Sequence, residues 1–108
     1  MSMNEIKTKL DNKELLSIEE ITKSILSNGL EKVKFIVPKN STILGYGYLI
    51  VGNTTKNTIC TLKKLSNKND VELIPNDDND SILEYGELYL SDIATLIKYH
   101  YIDICIHN

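Results

Sequence analysis

The stretch Ile43-Leu44-Gly45-Tyr46-Gly47-Tyr48-Leu49-Ile50-Val51-Gly52-Asn53, ILGYGYLIVGN, decides how the middle of the chain is read. Leu49, Ile50 and Val51 want burial, whereas a glycine inside a strand weakens it. Yet Gly45 and Gly47 alternate with Tyr46 and Tyr48, and period-two alternation marks a strand. The expectation is one strand over about Thr42 to Val51, with glycines on one face and tyrosines on the other. Three uses of such a strand compete. The glycines can admit a neighbouring backbone. The tyrosines can anchor a protein partner. Or the rings can stack on a planar ligand that approaches the bare glycine backbone.

Working towards the N-terminus, Lys32 to Val37 alternates around Val33, Phe35 and Val37, and Pro38 closes it as a strand. Ser17-Ile18-Glu19-Glu20 is a capping box, with Leu16 and Ile21 at the hydrophobic-staple positions. Ile18, Ile21, Ile25 and Leu26 form an apolar stripe and Gly29 stops it, which predicts a helix over Ile18 to Asn28. Glu5 to Leu10 alternates through Ile6, Thr8 and Leu10 and reads as a short strand. Met1-Ser2-Met3 reads as unstructured or left over from cloning.

Towards the C-terminus, Gly52 to Asn57 is a loop, Thr58 to Leu65 a strand, Ser66 to Asp70 a turn, and Val71 to Ile74 a short extended segment. Pro75 to Ser81 is an acidic, asparagine-rich loop, and Leu83 to Leu90 a strand broken at Gly86. Ser91 reads as an N-cap with Asp92 in the first turn, where the helix dipole favours negative charge. Ile93, Leu96 and Ile97 give a short helix ending near His100, and Tyr101 to His107 a last strand. Short turns between strands imply an α+β fold: a mainly antiparallel sheet of five to seven strands, one capped N-terminal helix and one short C-terminal helix. At 108 residues the chain is read as one globular domain over 1–108.

Composition narrows the function classes. The apolar fraction is 42%, the charged fraction 25% and the net charge −3. All 12 basic residues are lysines. Arginine is the usual residue for bidentate guanine and phosphate contacts, so a duplex-DNA reader is not expected. No apolar run approaches a membrane span, and no signal-peptide pattern opens the chain. A cytoplasmic protein with reduced thiols at Cys60 and Cys105 follows as the expectation. Richness in Ile, Asn and Lys fits an AT-rich genome such as a low-GC bacterium, its phages or its plasmids.

Motifs that carry chemistry are weak. Asp103, Cys105 and His107 share one face of the last strand and are possible metal ligands, but closely set ligand pairs from two elements are missing. Asn76, Asp78, Asp80 and Glu87 fall at calcium-loop positions, but Ser81 stands where that loop needs glycine, and Pro75 forbids the incoming helix. Phosphate-loop, dinucleotide and hydrolase motifs are absent. No catalytic residue, metal or cofactor is assigned.

The expected function is therefore non-enzymatic: a small binding or inhibitor protein, phage- or mobile-element-encoded, that blocks a host defence protein by direct contact. Its contact residues are expected to be Gly45, Tyr46, Gly47, Tyr48, Tyr85 and Tyr89. The alternative is an oligomer that sequesters a nucleotide-like molecule, and a further one is an antitoxin or immunity protein. A homodimer or higher homo-oligomer is expected, because small sheets pair through exposed edges.

Overall fold

A computed structural model describes residues 1–65 and 70–106. Helix α1 spans Met3–Asp11, α2 Ile18–Asn28 and α3 Leu90–Lys98. The strands are β1 Lys34–Val37, β2 Thr42–Leu44, β3 Tyr48–Val51, β4 Thr58–Lys64, β5 Val71–Pro75, β6 Leu83–Gly86 and β7 Asp103–Cys105. They form two antiparallel sheets, ordered β5-β4-β1-β7 and β2-β3-β6. The α+β class and the antiparallel pairing are as expected, but the strands divide between two sheets and there is one helix more.

That helix is the first correction. The expected strand over Glu5 to Leu10 is α1, capped by Ser2, whose hydroxyl accepts from the Glu5 amide at 3.1 Å. Glu5 reaches back to the Ser2 amide, which completes a capping box and holds its own carboxyl below the usual range. Met3, Ile6 and Leu10 are buried at helical spacing. So residues 2 and 3 belong to the fold. Helix α2 has the expected bounds: the Ser17 hydroxyl accepts from the Glu20 amide at 3.0 Å, and Gly29 ends it at φ 98°. Leu26 departs from the expected stripe, since it is exposed.

Strand β1 is central in the larger sheet. Phe35 lies opposite Cys60 on β4 and Ile104 on β7, and all three are buried. With Ile21 and Ile25 of α2 and Ile93 and Ile97 of α3 they belong to one continuous core. Burial pushes the Cys60 thiol up to about 12, so it serves as an inert filler. Helix α3 begins two residues earlier than expected. Tyr89, not Ser91, is its cap, and Asp92 accepts the Tyr89 amide at 2.8 Å.

The second correction concerns Thr42 to Val51, which is a hairpin rather than one strand. Leu44 pairs with Leu49, and the Gly45 amide donates to the Tyr48 carbonyl at 3.0 Å, leaving Tyr46-Gly47 as the turn. Gly47 takes φ 100°, a conformation glycine adopts without strain. Tyr48 is buried, and a Cβ on Gly45 would run into its ring. Gly86 pairs with Tyr48 from β6. Gly45 thus makes room for the inward Tyr48 ring, which covers it, while Gly86 lets β6 approach the Gly47 backbone closely.

The acidic loop is more organised than a solvated loop. Asp77 accepts the Asn79 amide at 2.9 Å, and Asp80 pairs with Lys56 at 2.8 Å.

The tyrosine–glycine packing predicts that Gly45→Ala destabilises the fold by about 1–3 kcal/mol, as overpacking does. In Tyr48→Ala protein the same change costs much less, because the collision is gone. Urea unfolding of the two single variants and the double variant measures this non-additivity.

Candidate functional site: the outer face of the small sheet

The three-stranded sheet has an inner and an outer face, and cross-strand register assigns each residue to one of them. Ile43, Ile50 and Glu84 form an inner row, with Tyr48 and Gly86 beside it. The outer rows are Leu44-Leu49-Tyr85 and Thr42-Val51-Leu83. Thr42 is the one polar residue among these six.

An antiparallel sheet with one wet face normally alternates apolar and polar residues. This one does not. Leu44 is 80% exposed, Leu83 54%, Tyr85 57%, and Tyr46 at the hairpin tip 103%. Leu49 and Val51 between them are half-buried. The sequence Tyr48-Leu49-Ile50-Val51 is what a strand covered on both faces contains. Here the cover on one face is absent among the described residues.

The expected site residues divide. Tyr46 and Tyr85 lie at the tip and on the outer face. Gly45 and Gly47 shape the hairpin. Tyr48, expected beside Tyr46 on an exposed face, points inward instead, because the turn at Tyr46-Gly47 breaks the alternation. Burial raises its phenol above the ordinary value, with the Asp92 carboxylate adding to the effect. Tyr89 caps α3, donates its hydroxyl to Glu87 at 3.0 Å, and borders a different depression, between α2 and α3. Leu44, Leu49, Val51 and Leu83 are outside the expected set. Their signal is apolar residues at the strand positions an exposed face should make polar.

The inner face explains how the small sheet is held. Strand β5 is an edge of the larger sheet. Its Val71 and Leu73 amides point away from β4, and a bare row of this kind invites strand pairing. Val71 donates to the Leu88 carbonyl at 2.7 Å, and Leu73 donates to the Glu84 carboxylate at 3.1 Å. The next outward position is Pro75, which has no amide hydrogen. The row is closed by β6 and the segment after it. Strand β2, by contrast, ends its sheet, and the outward backbone of Thr42 and Leu44 lies beside no other strand among the described residues.

On β7, Cys105 stands opposite Lys34 and Asp103 opposite Ile36. His107 lies outside the described residues. Among the described residues no group of three or more His, Cys, Asp or Glu is placed to hold a metal ion, and no helix is long and apolar enough to cross a membrane. Comparison with protein-family models, with curated proteins and with solved structures found no match.

Burial raises the Glu84 carboxyl above its ordinary 4.5; the Leu73 amide opposes this and the Glu72 charge adds to it. A raised pKa means that the fold favours the protonated acid. The wild type should therefore gain stability relative to Glu84→Gln as pH falls from about 7 to about 4.5, and lose that gain as pH rises again. Glu84→Ala, which strands the Leu73 amide, is expected to cost about 1–3 kcal/mol near neutrality. Urea titrations across this pH range measure both effects.

Proposed function

We propose that this protein is a non-enzymatic binding protein whose contact surface is the outer face of the three-stranded sheet. One observation carries the reading. Leu44, Leu83 and Tyr85, all exposed, form a contiguous apolar face with the half-buried Leu49 and Val51 between them and Tyr46 at its rim. Patches of this kind mark interaction sites. Exposed tyrosines suit the role, since each offers a large rigid ring with a polar tip. The occupant is a protein surface that is itself apolar at its centre, and the setting is the cytoplasm, where Cys60 and Cys105 stay reduced. A role as an inhibitor of a host defence protein is consistent with the small size and the AT-rich codon signature; those two features are its support.

A nucleotide-like ligand is supported less well. It requires a concavity beside bare glycines, and the Tyr48 ring occupies that place at Gly45. Self-association is the second reading, favoured by the open edge of β2 at Thr42 and Leu44.

A photo-crosslinking residue at position 46, in cells of the native host, tests the assignment. The expected result is one dominant adduct with a different protein. The same probe at position 19, on the exposed side of α2, should give none. Leu44→Lys together with Tyr85→Lys should abolish the adduct while leaving the unfolding curve within about 0.5 kcal/mol of wild type. Adducts only between copies of this chain would replace the reading by self-association. No adduct from position 46 would overturn it.

A further inference from the structure

Strand β2 leaves backbone groups with no strand to pair with. The Gly45 amide donates to the Tyr48 carbonyl and the Gly52 amide to the Ser41 carbonyl, so Ser41, Ile43 and Gly45 turn their backbone towards β3. The alternation then aims the N–H and C=O groups of Thr42 and Leu44 away from the sheet. Both residues are exposed, and no other strand lies beside them among the described residues. Proteins normally blunt such an edge with charge, proline or a covering segment. The edge of β5 is covered and ends in Pro75, and β7 carries Asp103. Strand β2 has none of these devices. From Asn40 to Thr55 the chain holds no charged residue, and Thr42-Ile43-Leu44 holds no proline.

We propose that this edge receives an extended segment of the partner protein, which adds to the small sheet as a fourth strand beside β2. The inference rests on reading the outer sheet face as the contact surface, and it names how the partner is held. N–H and C=O groups repeated every second residue match the edge of another strand, whereas a helix has its own backbone groups already paired. Main-chain bonds give an added strand its affinity, and its alternate side chains give selectivity. Side chains on the outer side of that strand extend the Leu44-Leu49-Tyr85 row, so the segment is apolar beside Leu44. The occupant is a different protein rather than a second copy. Two copies of β2 meet through three residues each, too little surface for a specific interface of about 800 Å² per partner. Copies paired edge to edge also lie in one sheet, which leaves the outer face open on both. A partner that pairs with the edge and folds over the face covers both features at once.

The test uses the photo-crosslinking residue at position 46 of the full-length chain, in cells of the native host. It compares Thr42→Pro, which removes the outward N–H, with Thr42→Val, which keeps it. The adduct should fall about tenfold in the proline variant and stay at the wild-type level in the valine variant. Amide exchange is the second measurement, and it serves if the proline variant does not fold. In the protein alone the Thr42 and Leu44 amides should exchange without protection, while the Ile43 amide is protected. In the purified adduct, exchange at Thr42 and Leu44 should slow about a hundredfold. An undiminished adduct in folded Thr42→Pro protein would overturn the proposal, as would unchanged exchange at Thr42 and Leu44 in the adduct. In either case the outer face stays the contact surface if Leu44→Lys with Tyr85→Lys abolishes the adduct, so the two failures are told apart. Protection of Thr42 and Leu44 that grows with the concentration of the protein alone would also overturn it, because a second copy would then hold the edge.

Discussion

The structure depends on how the free edge of β5 is closed. Two outward amides meet the Glu84 carboxylate and the Leu88 carbonyl, and a proline removes the third. Without these contacts the larger sheet would offer a bare edge, and the small sheet would have fewer ties to it. A carboxylate is an unusual partner for this task. It is a strong acceptor, but burial penalises its charge, and the Glu72 charge nearby adds to the penalty. The same residue therefore joins the sheets and gives the junction a dependence on pH.

Glu84 acts on the inner side of β6 while Leu83 and Tyr85 face outward. Period-two geometry lets one short strand do both. The inner side is committed to holding the sheets together, and the outer side carries Leu44, Leu83 and Tyr85 in the open. All three lie outside the buried core among the described residues. That disconnection between apolar character and core packing is the basis for reading the face as a contact surface.

Much of the fold is legible in the sequence because its local signals agree. The capping box at Ser17 to Glu20, the staple and Gly29 mark both ends of α2. Val33, Phe35 and Val37 alternate cleanly, as do Thr58, Cys60 and Leu62 on β4. Helix α1 is ambiguous for a definite reason. Ile6 and Leu10 are four apart, a spacing that satisfies both the strand and the helix period, and over six residues the periods do not separate. The deciding signal is the Ser2–Glu5 box, which starts inside a segment expected to be unstructured. At Tyr89, Asp92 lies in the first turn as expected, but its carboxylate closes the cap from N3, which moves the helix start back to Leu90.

The candidate site was half legible, and the hairpin shows why. Gly45-Tyr46-Gly47-Tyr48 has the alternation of a strand, but alternation says nothing about φ. A positive φ at Gly47 turns the chain, and from there the two tyrosines part, one outward at the tip and one inward over Gly45. Glycine is the residue for which pattern reading fails most readily, because it fits a strand and a turn alike. Once the turn is placed, register does the rest. Leu44, Leu49 and Tyr85 fall into one row although they come from three strands, and that row exists only in the folded chain. A contact face built across strands leaves no contiguous motif, so its trace in the sequence is limited to apolar residues where solvent should be.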